Sequence, residues 1–359
     1  MKILVVGPPL NTVGGIQNYL ELLMNYMKNQ GHLINYFTQP MKFKKSYIFY
    51  LLFFLQYIKF KACLRENKPD IIHQNFSLIW ASVLRDLIFL NISKMKKCRT
   101  VLFIHGWRWE FFNGMKKSNL VKKFFIKNFN KADKIIVLSK EFKNALVELG
   151  IDEEKIFVTT TMVETAKYQT TRKSFDEPFY VLFCANMKKE KGPFAVLDSV
   201  PFVLNKFSNT KFVFIGSGKD LNELKQKTKN MNLSANVNFT GYLSLDEKQI
   251  FFKQSHIFVF PTEHAEGFPT VILEAMASGM PLITTAVAGL KDALENGKQG
   301  LIIDSNPPEP KEISQKIIQL LENKNYMKKI SENNTVEAKE KYDVKIICGK
   351  IEEIYLTML

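Results

Sequence analysis

Arginine is scarce in this chain. Five arginines stand beside 45 lysines, a poor fit to nucleic-acid contacts built on forked guanidinium groups. Cysteine is also sparse: Cys63, Cys98, Cys184 and Cys348 lie far apart, with no CxxC and no histidine at metal-ligand spacing. That argues against a disulfide framework or a zinc site and fits a reducing cytoplasm. No apolar run is long. The start, MKILVVGPPL, turns polar too soon for a signal h-region and predicts a first strand. The most apolar stretch, YIFYLLFFLQYI at 47–58, is about twelve residues where a spanning helix needs roughly twenty, so no transmembrane helix is predicted. GxGxxG is missing, which removes the dinucleotide fingerprint, and no DxD-type metal pair stands out.

What is present is ample apolar material and an uneven charge. The 359 residues are 46% hydrophobic and 24% charged, enough for two cored domains. Residues 1–172 hold 27 basic and 12 acidic side chains, whereas residues 173–359 hold 23 of each. The whole net charge of +15 therefore lies in the first part, whose partner is expected to be anionic: nucleic acid, a membrane surface or a phosphorylated substrate.

Short apolar, β-branched runs alternate with longer amphipathic segments. KILVVG (2–7) leads through a glycine loop into a helix at about 16–29, and strands follow near 33–37, 70–73, 100–104 and 134–138. Residues 166–178, polar and closed by Pro178, predict a linker. The rhythm restarts at 179–185, 211–216, 237–241, 256–261, 281–285 and 300–304. Such alternation predicts an α/β chain of two doubly wound, Rossmann-like domains, with ligands in the cleft faced by their C-terminal strand ends. The first domain is expected over 1–165 and the second over 179–342. A final helix over 343–359 either closes the second domain or crosses back to the first.

Two segments carry chemistry. Gly14 and Gly15, after the first strand and before a helix, permit close backbone approach of a phosphate to a helix start; an ordinary turn is the alternative. The stronger signal is PTEHAEGFPTVILEAMASGMP, 261–281. A strand ends at Pro261, a loop carries Glu266, Pro269 suits a first helical turn, and Glu274 follows on the helix, which Gly279 and Pro281 stop. Two carboxylates beside the positive end of a helix suit a nucleotide sugar: one for sugar hydroxyls, one for ribose, the helix end for the diphosphate.

E-GFPTVIL-E resembles the EX7E motif of retaining GT-B glycosyltransferases, in particular glycosyltransferase family 4. Further segments resemble the family in order: GGIQNYLELLMNYMKNQGH, KPDIIHQN, FIHGW, KADKIIVLSKEFKNAL, FIGSG, NFTGYLS, ITTAVAG and GLIID. The resemblance implies a GT-B architecture, no cofactor and no metal. It places Glu266 at the donor sugar near the anomeric carbon, Glu274 on the ribose, and the Gly14–Gly15 backbone at the donor phosphate. Lys191 would neutralise the diphosphate, and His105 would contact the sugar or catalytic centre. Gly216 and Gly218 would line the nucleotide pocket, Tyr242 and Leu243 the base, and Gly267, Phe268, Pro269 and Thr270 the helix entry. Three positions depart from the pattern. Ala185–Asn186 replaces the family's Gly–Arg, leaving Lys188 or Lys189 as substitutes for the Arg; Thr161–Met162 replaces its Asn–Gly; Asp292 stands where a Glu is usual.

The implied reaction is transfer with retention, through an oxocarbenium-like transition state, from a UDP-sugar in preference to a GDP-sugar. Whether Glu266 attacks covalently or shields the cation is left open. The acceptor is expected to be a lipid-linked saccharide, because residues 42–61 are apolar on every side of a helix and flanked by lysines. Lys44, Lys45, Phe53, Phe54, Tyr57 and Lys59 would touch an anionic membrane, placing the protein peripherally on the cytoplasmic face; a covered core helix is the alternative. A nucleic-acid-binding protein is the reading from another class, but no RNP, helix-turn-helix or zinc pattern accompanies the charge. A GT-B nucleotide-sugar epimerase should lack the EX7E frame.

Overall fold

The computed structural model describes residues 1–11, 14–39, 47–169, 175–263 and 267–359, with 47–53 as backbone only. Glu266, Lys44 and Lys45 lie outside the described residues, as does the side chain of Phe53. The chain forms two compact units: Met1–Thr161 with Val344–Leu359, and Met162–Asp343.

The first unit alternates strand and helix: β1 (Lys2–Gly7), α1 (Gly15–Asn29), β2 (Leu33–Thr38), α2 (Tyr47–Asn67), β3 (Ile71–Asn75) and α3 (Trp80–Met95). It continues through β4 (Arg99–Ile104), α4 (Trp109–Lys116), α5 (Asn119–Phe129), β5 (Lys134–Val137), α6 (Lys140–Leu149) and β6 (Ile156–Val158). All strands pair in parallel, in the order β2-β1-β3-β4-β5-β6. Ile3–Val6, Ile71–Ile72 and Val101–Ile104 are buried, as strands covered on both faces must be. β6 has no counterpart in the sequence reading: three residues after the charged turn at 152–155 give no period to detect.

α1 turns Tyr19, Leu20, Leu23, Met24 and Met27 inward, an i, i+4, i+8 stripe. α2 does not have one dictated by its sequence. The sheet takes a narrow stripe of it, Phe60 and Leu64 fully and Tyr57 and Cys63 partly, and leaves Phe54, Leu55 and Ile58 exposed. Tyr57 is thereby corrected: its ring packs edge-on against Phe89 at 5.5 Å, turned inward rather than toward lipid.

The second unit starts with α7 (Thr165–Tyr168), β7 (Tyr180–Cys184), α8 (Pro193–Leu204), β8 (Lys211–Ile215), α9 (Leu221–Asn230) and β9 (Val237–Gly241). It continues with α10 (Leu245–Gln254), β10 (Ile257–Phe260), α11 (Thr270–Ala277), β11 (Leu282–Thr285) and α12 (Gly289–Ala293), then β12 (Gly300–Ile303), α13 (Pro310–Glu322) and α14 (Lys324–Glu337). Its parallel sheet has the order β12-β11-β10-β7-β8-β9. The stretch read as a linker from 166 begins inside this unit, because the Tyr168 ring is buried against Phe252 at 5.8 Å. Val163 N donates to Tyr342 O and Thr165 N to Asp343, so the chain enters and leaves the unit side by side.

The last helix, α15 (Val344–Leu356), belongs to the first unit and packs on α1. The Tyr355 hydroxyl meets Nδ1 of His73 at 2.6 Å, and Glu352 takes His32 Nε2 at 2.6 Å.

Candidate functional site

Strand order places the reversal points. In the second sheet β7, β8 and β9 are laid in one direction and β10, β11 and β12 in the other, so the reversal falls between β7 and β10. In doubly wound sheets ligands lodge beyond the carboxyl ends of the strands at such a point. The segments leaving β7 and β10 are lashed together by backbone contacts. Glu263 N donates to Glu190 O at 3.0 Å, and Gly192, at φ +80°, lies so close that a Cβ would stand 2.3 Å from Pro261 O. The lysine turn at 188–191 is therefore held against the end of β10. Lys191 is half-buried within it, and desolvation, partly offset by Glu190, pushes its ammonium down to about 8.

The loops after β7 and β8 also interlock. Ala185 N donates to Ile215 O and Met187 N to Ser217 O. Gly216, at φ +137°, would place a Cβ 1.9 Å from Ala185 O, and Gly218 would place one 2.4 Å from Met187 O and 2.5 Å from Oδ1 of Asn186. Both glycines are needed for loop packing, whatever they line. Gly218→Ala is expected to displace the 185–187 loop, raising the Michaelis constant for donor at least severalfold without unfolding the chain. Unchanged donor kinetics would show that the loop can yield without consequence.

Glu274 sits on α11 with 3% of its surface exposed. Lys248, on the first turns of α10, donates to both of its carboxylate oxygens at 2.8 Å. Desolvation opposes the charge of Lys248, yet the Glu274 carboxylate outweighs it and holds the ammonium above the ordinary lysine range. Burial, reinforced by Glu274, pushes the Tyr168 hydroxyl beneath far up. Gly267, Phe268 and Pro269 are buried at the entry to α11, the Phe268 ring 5.6 Å from Tyr342, and Pro269 is the N-cap residue with no side-chain cap. Tyr242 is exposed beyond β9, whose end touches the β8 loop through Gly216 N and Gly241 O, while Leu243 rests on the core. Asn186, Lys191, Gly216, Gly218, Gly267–Thr270 and Glu274 thus share one sheet edge.

In the first sheet the reversal lies between β1 and β3, and their ends carry Gly7 and Asn75. Asn75 Nδ2 donates to Val6 O at 2.9 Å, so its Oδ1 faces Nε2 of His105 at 2.7 Å. That arrangement requires the Nε2–H tautomer and leaves Nδ1 as an acceptor. The ring stacks on Phe103 at 4.0 Å, and desolvation, then His73, push it down to about 3, so the imidazole is neutral. Gly14, in extended backbone, and Gly15 open α1 behind β1. Among the described residues no group of His, Cys, Asp and Glu gathers as a metal site.

Two residues of these edges were invisible in the sequence reading. Lys248 is one lysine among 45, although the S-x-x-E capping box of Ser244 and Glu247 marks the helix start that aims it inward. Asn75 had no signal beyond its place at the end of KPDIIHQN.

Comparison with known proteins agrees with the segment-by-segment likeness. Residues 13–167 match Glycosyltransferase Family 4, and residues 165–336 match Glycosyl transferases group 1. The capsular polysaccharide biosynthesis glycosyltransferase CapM of Staphylococcus aureus is 28% identical over 269 residues, 71% of this chain and 70% of CapM. Matches to the first curated relatives span 59–70% of those proteins' own lengths. A glycosyltransferase from Rickettsia africae superposes with a TM-score of 0.81 at 18% identity, covering 99% of this chain and 98% of that one. Anabaena HepE in complex with UDP superposes at 0.76 with 19% identity over 100% of both chains. The chain is therefore a glycosyltransferase of GT-B fold, carrying a Family 4 domain followed by a group 1 domain.

Proposed function

We propose that this protein moves a sugar, with retention at the anomeric carbon, from a nucleotide sugar to a lipid-linked saccharide during assembly of a cell-surface polysaccharide or glycolipid. The observation that carries this reading is the β7–β10 reversal point, where the Lys191 turn, the start of α11 and Glu274 share one edge. UDP-sugars are preferred to GDP-sugars, in keeping with the UDP and UDP-glucose complexes of HepE. CapM's part in capsular polysaccharide biosynthesis supports the assembly of a cell-surface polysaccharide.

In this mechanism negative charge grows on the departing diphosphate as the anomeric carbon becomes oxocarbenium-like. The Lys191 ammonium and the amides at the start of α11 meet that charge from fixed positions. A metal ion has no role in this scheme, so chelation is expected to leave turnover unchanged. Glu274 accepts the ribose hydroxyls, and Glu266 is assigned to the donor sugar near the anomeric carbon. Neutral His105, with Nδ1 as acceptor, takes a sugar hydroxyl. The protein works at the cytoplasmic face of the membrane, where a lipid-linked acceptor is presented.

Slow hydrolysis of a panel of nucleotide sugars, read as released UDP or GDP, identifies the donor, and the anomeric proton coupling of the transfer product reports retention. Glu266→Ala is expected to lower transfer at least about tenfold, equivalent to roughly 1.4 kcal/mol of barrier, with the fold intact. An inverted product would overturn the mechanism, and a fully active Glu266→Ala its central residue.

A further inference from the structure

The crossovers from β2 to β3, β3 to β4 and β4 to β5 all run the same way across the first sheet, which puts α2, α3 and α5 on one face of it. α3 lies in the middle and packs on both neighbours. Helices in such a layer ordinarily turn polar side chains outward. Here α3 shows Trp80, Leu84 and Ile88 in an i, i+4, i+8 row, and Leu84 is 54% exposed. On one side α5 shows Leu120, 82% exposed, and Phe124; on the other α2 shows Phe54 and Ile58. Exposed apolar side chains gathered on three neighbouring helices of one layer mark an interaction site.

Charge selects the partner. Exposed Lys59 and Lys61 flank the row on α2, and exposed Lys117, Lys123 and Lys127 flank it at α5. α5 contains no acidic residue, and the single one in α3, Asp86, is buried. The rows on α3 and α5, bordered by lysines and free of exposed carboxylates, with Glu66 exposed only toward the end of α2, complement an anionic lipid headgroup layer with acyl chains beneath it. Crossover helices start above the carboxyl ends of the strands they follow. Trp80, Leu84, Leu120 and Phe124 therefore lie toward the edge where Asn75 and His105 end.

The geometry points to the outer face of α2, α3 and α5 as a docking surface for a membrane leaflet containing anionic phospholipid. α3 and α5 form its centre and α2 its border. This deepens the reading of a lipid-linked acceptor and rests on it for its purpose, although the surface stands apart from the chemistry.

Sedimentation of the full chain with phosphatidylcholine vesicles, with and without about a quarter phosphatidylglycerol, tests it. Binding is expected with the anionic vesicles and is expected to weaken as salt rises, each lysine near the surface being worth about fivefold. Leu84→Ser, Leu120→Ser and Phe124→Ser combined should cut partitioning about a hundredfold or more, at an unchanged melting temperature. Leu120→Ser alone keeps the test available should the triple variant not fold. Phe202→Ser, an exposed aromatic of the second unit, should bind like the parent. Full binding by the folded triple variant, or by none of the proteins, would overturn the proposal. So would a dimer in light scattering that the triple variant abolishes while vesicles bind neither protein, since the face then joins two copies. Vesicle binding by a protein that releases nucleotide from no donor leaves the surface standing and removes the transfer reading instead.

Discussion

Lys248→Met is expected to destabilise the second unit by about 3–5 kcal/mol, the loss seen when one partner of a buried ion pair is removed. Both side chains are shielded, Lys248 at 15% exposure and Glu274 at 4%, and the ammonium contacts both carboxylate oxygens at 2.8 Å. Methionine keeps the aliphatic stem beside Phe252, so the charge alone is deleted and the carboxylate is left uncompensated. A drop in Tm on the order of 10 °C is the expected reading. The double variant Lys248→Met, Glu274→Gln should recover most of it, because no buried charge then lacks a partner. The same cycle separates stability from function. Glu274→Gln raises the Michaelis constant for donor with turnover nearly kept, whereas Lys248→Arg restores both stability and donor affinity. A loss below about 1 kcal/mol in Lys248→Met would show that solvent reaches Glu274 freely.

Most of the fold was legible because parallel strands covered on both faces must be apolar without interruption. KILVVG, TVLFI and KFVFIG can be nothing else, and the glycines that follow several of them mark strand ends. Legibility failed where the deciding partner is remote in sequence. α15 could have closed either unit, and what places it is His73 under Tyr355, 282 residues away. In α2 an all-apolar sequence carries no orientation, so only the sheet decides that Tyr57 turns in and Phe54 out. The apolar row of α3 escaped attention because apolar residues in an α/β helix are read as buried by default. At the site, EX7E is legible since Pro, Gly and the two carboxylates are close in sequence. Lys248 and Asn75 are not, because their partners Glu274 and His105 lie 26 and 30 residues away.

Lys191→Ala is expected to lower kcat/KM about 10²–10³-fold, the range for removing one preorganised group from a developing charge. Lys188→Ala and Lys189→Ala should cost far less. Lys188 is directed toward Glu190 at 3.9 Å and Lys189 is exposed, whereas Lys191 sits in the turn that Gly192 and Glu263 tie to the end of β10. Asn186, in the place of the family's Arg, brings no charge. The low affinity of Lys191 for its proton adds a signature that a structural lysine would not have. With an ammonium at about 8, the free enzyme carries this charge below that pH and loses it above. Since kcat/KM reports the free enzyme, it should fall as pH rises through about 8, roughly tenfold per unit once the amine is neutral. A bound diphosphate favours the protonated form, so the fall in kcat should come at higher pH. Lys191→Arg holds its charge throughout this range and should flatten the profile, whatever its absolute rate. A profile flat from pH 7 to 9 in the parent protein, or a costlier loss at Lys188, would move the diphosphate contact to another residue of the turn.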